Sequence, residues 1–327
     1  MGRVAVLLCG YGEVEDYDEF QEYNEKSFRL LVSKSIKFPD FSIPWLSRRL
    51  ERSQRKEWHA ANHYHSPHNA IFERQRAGIE EGLKATYGDD VAVFKAYNFV
   101  EPHLPEQVLA EIRGQGFEKI VVYPWLVVDS VFTSGLALQQ INEALHPDGA
   151  WVKGIRYLPS FWERPDFQQL LVDHIDEGLS PLLERYVSSQ VGIVLCLHGC
   201  PLETKGMETG VRDSTALYYA MQSRLIGRFP LISPGWMNHP VPGKWTTPDV
   251  DQAAANLIGL GARALVFAPI GFVTENHETQ LDIGYTIDKV KDQVETFHLS
   301  TLNEHPELLA MGADWIRPLI DELRVPQ

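Results

Sequence analysis

The chain has 327 residues, with 30 Lys and Arg against 44 Asp and Glu, a formal net charge of −14. That acidity argues against nucleic acid as a partner, because phosphate binding needs clustered cations; 44% hydrophobic and 23% charged residues exclude disorder as the default. Three cysteines, Cys9, Cys196 and Cys200, build no disulfide framework. No run reaches the roughly 20 apolar residues of a transmembrane helix, so a cytoplasmic location with at most peripheral membrane contact is expected.

In chain order, Arg3 to Cys9 reads as a first strand rather than a signal peptide. Residues 10–65 are too long for a strand-to-helix loop. They hold acidic Glu13, Glu15, Asp16, Asp18, Glu19 and Glu22, then an aromatic and basic stretch from Ile43 to Glu51. Long insertions are usually functional, but the favoured reading of the residues is a partly helical surface excursion. His59, His63, His65 and His68 follow; His59 and His63 have the i,i+4 spacing of a metal pair. Surface histidines beside a Ser66-Pro67 helix start are the favoured reading. Helices are expected at 68–86, 105–115, 136–145, 164–187, 213–227, 249–260, 279–295 and 305–323. Strands are expected at 91–96, 119–124, 152–157, 191–197, 229–233 and 263–268. This alternation is the signature of βαβ units and parallel sheets. It predicts an α/β chain of two three-layer domains, 1–160 and 161–327, divided near Leu158-Pro159-Ser160-Phe161.

The chemistry concentrates at two strand ends, where open α/β sheets bind ligands. The run Val191 to Leu197 ends on His198-Gly199-Cys200-Pro201. The run Ala264 to Ala268 leads into Pro269-Ile270-Gly271-Phe272-Val273-Thr274-Glu275-Asn276-His277-Glu278-Thr279. An imidazole near its ordinary pKa of about 6.5 can accept protons, and Glu275, His277, Glu278 and Asp282 supply oxygen and imidazole ligands. On a helix from 279, Glu278 and Asp282 share a face, although a Glu there also simply complements the helix dipole. No Gly-x-Gly-x-x-Gly fingerprint, P-loop, zinc cysteine pattern or nucleophile elbow is present.

These two motifs resemble the ferrochelatase family. His198 to Pro201 matches a His-(Ser/Gly)-Leu-Pro turn, with Cys200 for Leu. Pro269, Gly271, Phe272, Val273, Glu275, Glu278 and Thr279 match a second segment, in which Asn276 replaces the usual His. The resemblance implies two Rossmann-like domains with a cleft between them, and a tetrapyrrole metallochelatase that inserts ferrous iron into a porphyrin, protoporphyrin IX or coproporphyrin III. Iron would be the substrate metal, and no organic cofactor would be bound. His198 would take the pyrrole protons. Glu278 would be its central partner; His198, Glu275, His277, Glu278 and Asp282 would be the metal ligands, the carboxylates and His277 handling metal or protons. Tyr11, Trp45, Tyr97, Trp125, Trp236 and Trp245 are the candidate macrocycle contacts, although each aromatic alone is more often core. There are departures. Met237-Asn238 replaces a Gln-Ser pair, Pro124-Trp125-Leu126-Val127 replaces Pro-Gln-Tyr-Ser, and the Arg of a Gly-Met-Arg-Tyr element is missing from Lys95-Ala96-Tyr97-Asn98. They leave open a porphyrin- or heme-binding relative that does not insert metal, or a chelatase for another metal or tetrapyrrole.

Overall fold

The computed structural model describes residues 2–16, 21–23, 25–27, 29, 39–61, 64–131, 133–146, 148–203, 208–239 and 243–325. Asp18, Glu19, His63 and the His59 side chain lie outside the described residues, and the His59/His63 metal pair with them. Of the other two histidines, His65 is exposed, whereas His68 is buried and stacks on Phe72 with ring centroids 6.2 Å apart.

The described strands form two four-stranded sheets. The first contains β1 (Val4–Gly10), β2 (Val91–Tyr97), β3 (Lys119–Pro124) and β4 (Gly154–Tyr157), in the order β2-β1-β3-β4. The second contains β5 (Val191–His198), β6 (Leu231–Met237), β7 (Ala264–Ala268) and β8 (Glu295–His298), in the order β6-β5-β7-β8. Every pairing is parallel. The chain is thus α/β, and its two halves repeat one topology. In each sheet the first strand lies between the second and the third, so the direction of winding reverses there. That reversal is where such sheets bind ligands.

The strand sequences explain their places. All of β1 and β7, and all of β5 except His198, is buried, as expected of parallel strands covered on both faces. On one side of the second sheet, Val194, Cys196, Leu265 and Phe267 pack with Ala253, Ala254 and Leu257 of the Val250–Gly259 helix. Pro234 is tolerated in β6 because that strand is an edge. The expected helix 279–295 divides instead into a π-helical turn Glu278–Asp282, a helix Ile283–Val290 and the edge strand β8. The excursion after β1 contains an 18-residue helix, Ile43–Ala60.

Two compact units result: residues 1–160 with 304–327, and residues 161–303. The last helix, Pro306–Arg324, therefore departs from the expected 161–327 domain and completes the first unit. Missing side chains admit it. A Cβ on Gly78 would meet Leu309, one on Gly82 would meet Ala313, and one on Gly312 would lie 2.7 Å from the Trp125 ring.

Candidate metal centre

In the second unit three adjacent strands end side by side, and each delivers one side chain. β5 closes on His198. β6 runs to Met237, two residues before His239. After β7 the chain enters the π-helical turn whose first residue is Glu278. His198 Nε2 lies 3.3 Å from His239 Nε2, and Glu278 Oε1 lies 3.6 Å and 3.7 Å from these two nitrogens. Among the described residues, these three offer ligand atoms all within 4.8 Å of one another. Tetrahedral bonds of about 2.0–2.2 Å to imidazole nitrogen and carboxylate oxygen place ligand atoms roughly 3.3–3.6 Å apart. The three atoms therefore outline one face of such a tetrahedron and leave the fourth position open.

Glycine makes the first contact possible. The Gly199 amide donates to Met237 O at 2.8 Å, and a Cβ there would sit 2.4 Å from that oxygen and 2.7 Å from Asn238 Cα. A short ladder then fastens the turn. Thr246 N donates to Cys200 O at 3.1 Å, Leu202 N to Lys244 O at 2.8 Å, and Cys200 N to Thr246 Oγ1 at 3.0 Å. Asn238 Nδ2 donates to Thr246 O at 2.8 Å. The Asn of the Met237-Asn238 pair thus holds the segment between the two histidines.

Glu278 is carried by a different lock. Asn276 and Thr279 cap one another: Thr279 N donates to Asn276 Oδ1 at 2.9 Å, and Asn276 N donates to Thr279 Oγ1 at 3.0 Å. This is the reciprocal logic of a capping box. Thr279 Oγ1 also donates to Glu275 Oε2 at 2.6 Å, while Glu275 Oε1 accepts from Thr301 N at 2.7 Å. Glu275 therefore anchors the loop with both carboxylate oxygens and is not one of the three converging ligands. Glu278 itself is 8% exposed, and its Oε2 has no hydrogen-bond partner among the described residues. π-helical turns are rare and concentrate at functional sites.

Removing the shared hydroxyl tests this lock. Thr279→Val keeps the volume but leaves the Asn276 amide and Glu275 Oε2 without it, so a loss of about 2–3 kcal/mol is expected. Thr279→Ser should restore most of that loss in urea titrations. Equal stabilities for the Val and Ser variants would show that the hydroxyl holds nothing.

Electrostatics act strongly on His239. The His239 side chain keeps 36% of its surface exposed. Desolvation of its ring nevertheless outweighs the attraction of Glu278 and, helped by His198 and His277, pushes its pKa down to about 4. His239 is thus a neutral ligand at neutral pH. Above the unfolded value of about 6.5 both states hold it neutral, and no stability is at stake. As the pH falls from about 6.5 towards 4, the unfolded chain takes up a proton that the folded chain refuses, so stability falls. Melting curves at pH 7 and pH 5 should show a smaller acid loss in His239→Gln than in the wild type; an unchanged loss would remove His239 as its source.

The remaining sequence candidates disperse. His277 and Asp282 flank and close the π-helical turn, half-buried, outside the converging trio. Trp245 lies beside the trio, its ring 5.9 Å from that of His239 at 81°. Trp236 is buried within β6. Tyr11, Trp45, Tyr97 and Trp125 belong to the first unit. Tyr11 packs edge-on with Phe99 and Tyr23, and Trp45 is exposed on the Ile43–Ala60 helix. Tyr97 and Trp125, expected as macrocycle contacts, are fully buried core side chains. The Trp125 indole N–H finds its partner inside the core, Gln75 Oε1 at 3.0 Å, which lets so large a ring be buried completely. His239 is the site residue that the sequence reading passed over. Its signal was a histidine just past a third strand, hidden because the strand was expected to stop at 233.

A family model described as ferrochelatase matches residues 3–319 of this chain. Ferrochelatase of Synechococcus elongatus is 24% identical, over 99% of this chain and 84% of that protein. Ferrochelatase of a Synechocystis species is 25% identical, over 98% and 84%. Among solved structures, SirB from Bacillus subtilis with Fe3+ matches with a TM-score of 0.55 at 13% identity, covering 96% of this chain and 94% of that one. The sirohydrochlorin chelatase SirB from Bacillus subtilis subspecies spizizenii, in complex with cobalt, matches with a TM-score of 0.53 at 11% identity, covering 98% and 96%. At these identities the structural likenesses speak for the fold.

Proposed function

Because this chain belongs to the ferrochelatase family, we propose that its His198–His239–Glu278 centre inserts ferrous iron into a porphyrin, protoporphyrin IX or coproporphyrin III. One observation carries the reading: two imidazole nitrogens and one carboxylate oxygen, from three neighbouring strand ends, meet at coordination spacing. Two nitrogens and one oxygen suit a divalent first-row metal. Three ligands with a fourth position open suit a metal that must be handed on, which a closed structural site would not allow. Iron is the substrate here, and the reaction needs no organic cofactor.

The reaction exchanges one Fe2+ for two pyrrole protons. His198, with 37% of its side chain exposed, accepts each proton and passes it to water. His239 stays neutral and keeps a nitrogen lone pair for the metal. Glu278 brings one negative charge to a dication entering a buried site, where that charge acts through a low dielectric. His277 and Asp282, at either end of the π-helical turn, are the proposed relay for metal or protons. Glu275 acts through the loop, by fixing Thr279. Trp245 and Phe272, whose rings lie 5.9 Å and 6.3 Å from those of His239 and His198, offer flat apolar surface to a macrocycle.

The deciding experiment is anaerobic insertion followed by absorbance, with each porphyrin offered separately with Fe2+, Co2+ or Zn2+. The wild type should turn over Fe2+, and His198→Ala, His239→Ala and Glu278→Ala should each lose turnover. Turnover with cobalt or zinc alone would reassign the metal. A shifted porphyrin spectrum without turnover would replace the enzyme with a tetrapyrrole-binding relative.

A further inference from the structure

Glu278 is placed by its backbone. Its Oε2 has no hydrogen-bond partner among the described residues, and its Oε1 faces two imidazoles at 3.6 Å and 3.7 Å. What fixes the carboxylate is therefore the stretch from Glu275 to Thr279 that carries it. Thr279 closes the far end of that stretch through its reciprocal cap with Asn276. The near end is closed by a segment that follows β8. Thr301 N donates to Glu275 Oε1 at 2.7 Å, and Glu275 N donates to Asn303 Oδ1 at 3.0 Å. Thr301 Oγ1 donates to the same Asn303 oxygen at 2.9 Å. One carboxamide oxygen thus ties the backbone of Glu275 to the segment that grips its side chain.

Asn303 is an unusual residue for its conformation. Its φ is +46°, and no other non-glycine residue among those described has a positive φ. Glycine is the default there, because it lacks the Cβ that a left-handed backbone strains. Asparagine tolerates the region better than most side chains, and beyond glycine it adds little but the carboxamide. A turn that served the fold alone would need the φ and not the acceptor. Residues held in such conformations cluster at functional sites. We propose that Asn303 is a positioning residue for Glu278, an inference that rests on the reading of His198, His239 and Glu278 as a metal centre. Asn303 lies outside the trio and acts through other residues. Its Oδ1 holds Glu275 N, Glu275 Oε2 accepts from Thr279, and Thr279 with Asn276 sets the start of the π-helical turn whose first residue is Glu278. Asn303 is also the last residue of the second unit, so the metal-bearing loop is tied down at the point where the chain leaves that unit.

Titration with Co2+ alone, without porphyrin, tests this, because the visible absorption of bound Co2+ reports its ligand geometry independently of turnover. Asn303→Gly removes the acceptor and suits a positive φ, so the fold is expected to survive, and melting curves check that it does. It should weaken Co2+ binding about tenfold or more, the range for groups that orient a metal ligand, and change the visible band. Turnover of Fe2+ should fall by a similar factor in kcat, with the KM for porphyrin unchanged. In a Glu278→Ala background the same change should leave Co2+ affinity where it was, since the group it positions is gone. Equal losses in both backgrounds overturn the proposal and assign Asn303 to the fold at large. A wild-type affinity and spectrum in Asn303→Gly overturn it while leaving the metal centre standing. Co2+ binding that is the same in the wild type and in His198→Ala overturns the metal centre itself, and this inference with it.

Discussion

Glu278→Gln is expected to abolish metal insertion and, in the same molecule, to raise the melting temperature. The activity loss follows from charge: removing one preorganised electrostatic group from a buried site typically lowers turnover by about 10²–10³-fold, and here the group also supplies the only anion of the converging trio. The stability gain follows from what Glu278 lacks. The residue is 8% exposed, its Oε2 has no hydrogen-bond partner among the described residues, and its Oε1 stands 3.6 Å and 3.7 Å from two imidazoles, beyond good hydrogen-bond range. A buried carboxylate so placed destabilises the fold by about 1–3 kcal/mol. The uncharged isostere relieves part of that, and each kcal/mol moves the midpoint by roughly 2–4 °C in domains of this size. Insertion assays and scanning calorimetry on the same preparation make the check. A lower melting temperature would show that Glu278 is a structural partner of the histidines and would remove the argument that this site trades stability for function.

Gly199→Ala should damage the centre without touching a ligand. Its Cβ would land 2.4 Å from Met237 O and 2.7 Å from Asn238 Cα, and backbone cannot move aside as a flexible side chain can. The end of β6 must retreat, carrying His239 away from His198. Overpacking of this kind costs about 1–3 kcal/mol. A displacement of about 1 Å at a reacting group can cost roughly 10²-fold in rate, so Gly199→Ala should lose both stability and insertion. It should also bind Zn2+ more weakly in calorimetric titrations. Gly259→Ala is the control, because nothing lies within 4 Å of its Cβ position; it should be neutral or gain about 0.5–1 kcal/mol. Wild-type turnover in Gly199→Ala would mean that the two strand ends need not meet.

Much of this architecture was readable from residues alone, and the misses share a cause. β1, β5 and β7 announce themselves because burial on both faces demands unbroken apolar runs. β8, Glu-Thr-Phe-His, is a four-residue edge strand with partly exposed side chains, and nothing in its pattern separates it from the tail of the preceding helix. The excursion after β1 was expected to be partly helical, and it is, but the bounds Ile43–Ala60 were not legible: the helix buries Ser47 and Glu51 among its inner residues, which interrupts the apolar stripe by which a helix is delimited. Of the converging trio, His198 and Glu278 are legible as candidates because each sits in a contiguous motif. His239 does not; it joins them only because β6 pairs with β5 and runs four residues past the expected stop, through Pro234. Glu275 was read as a ligand from its motif, yet a carboxylate that serves Thr279 and Thr301 looks the same in sequence as one that serves a metal. Adjacency across strands is the information that a single sequence does not spell out.

The return of the Pro306–Arg324 helix to the first unit has a consequence for synthesis. On a ribosome the second unit, residues 161–303, is contiguous and emerges complete. The first unit emerges earlier but without the helix that covers Trp125 and the glycine-lined side of the His68–Tyr87 helix. The segment made earlier must therefore wait for one made later, with apolar surface open for the whole time that residues 161–303 are being translated. Domains usually mature in the order they are made; here the order is inverted. Nascent chains stalled before residue 304 should hold a protease-resistant second unit beside a sensitive first one, and release of the final helix should protect both.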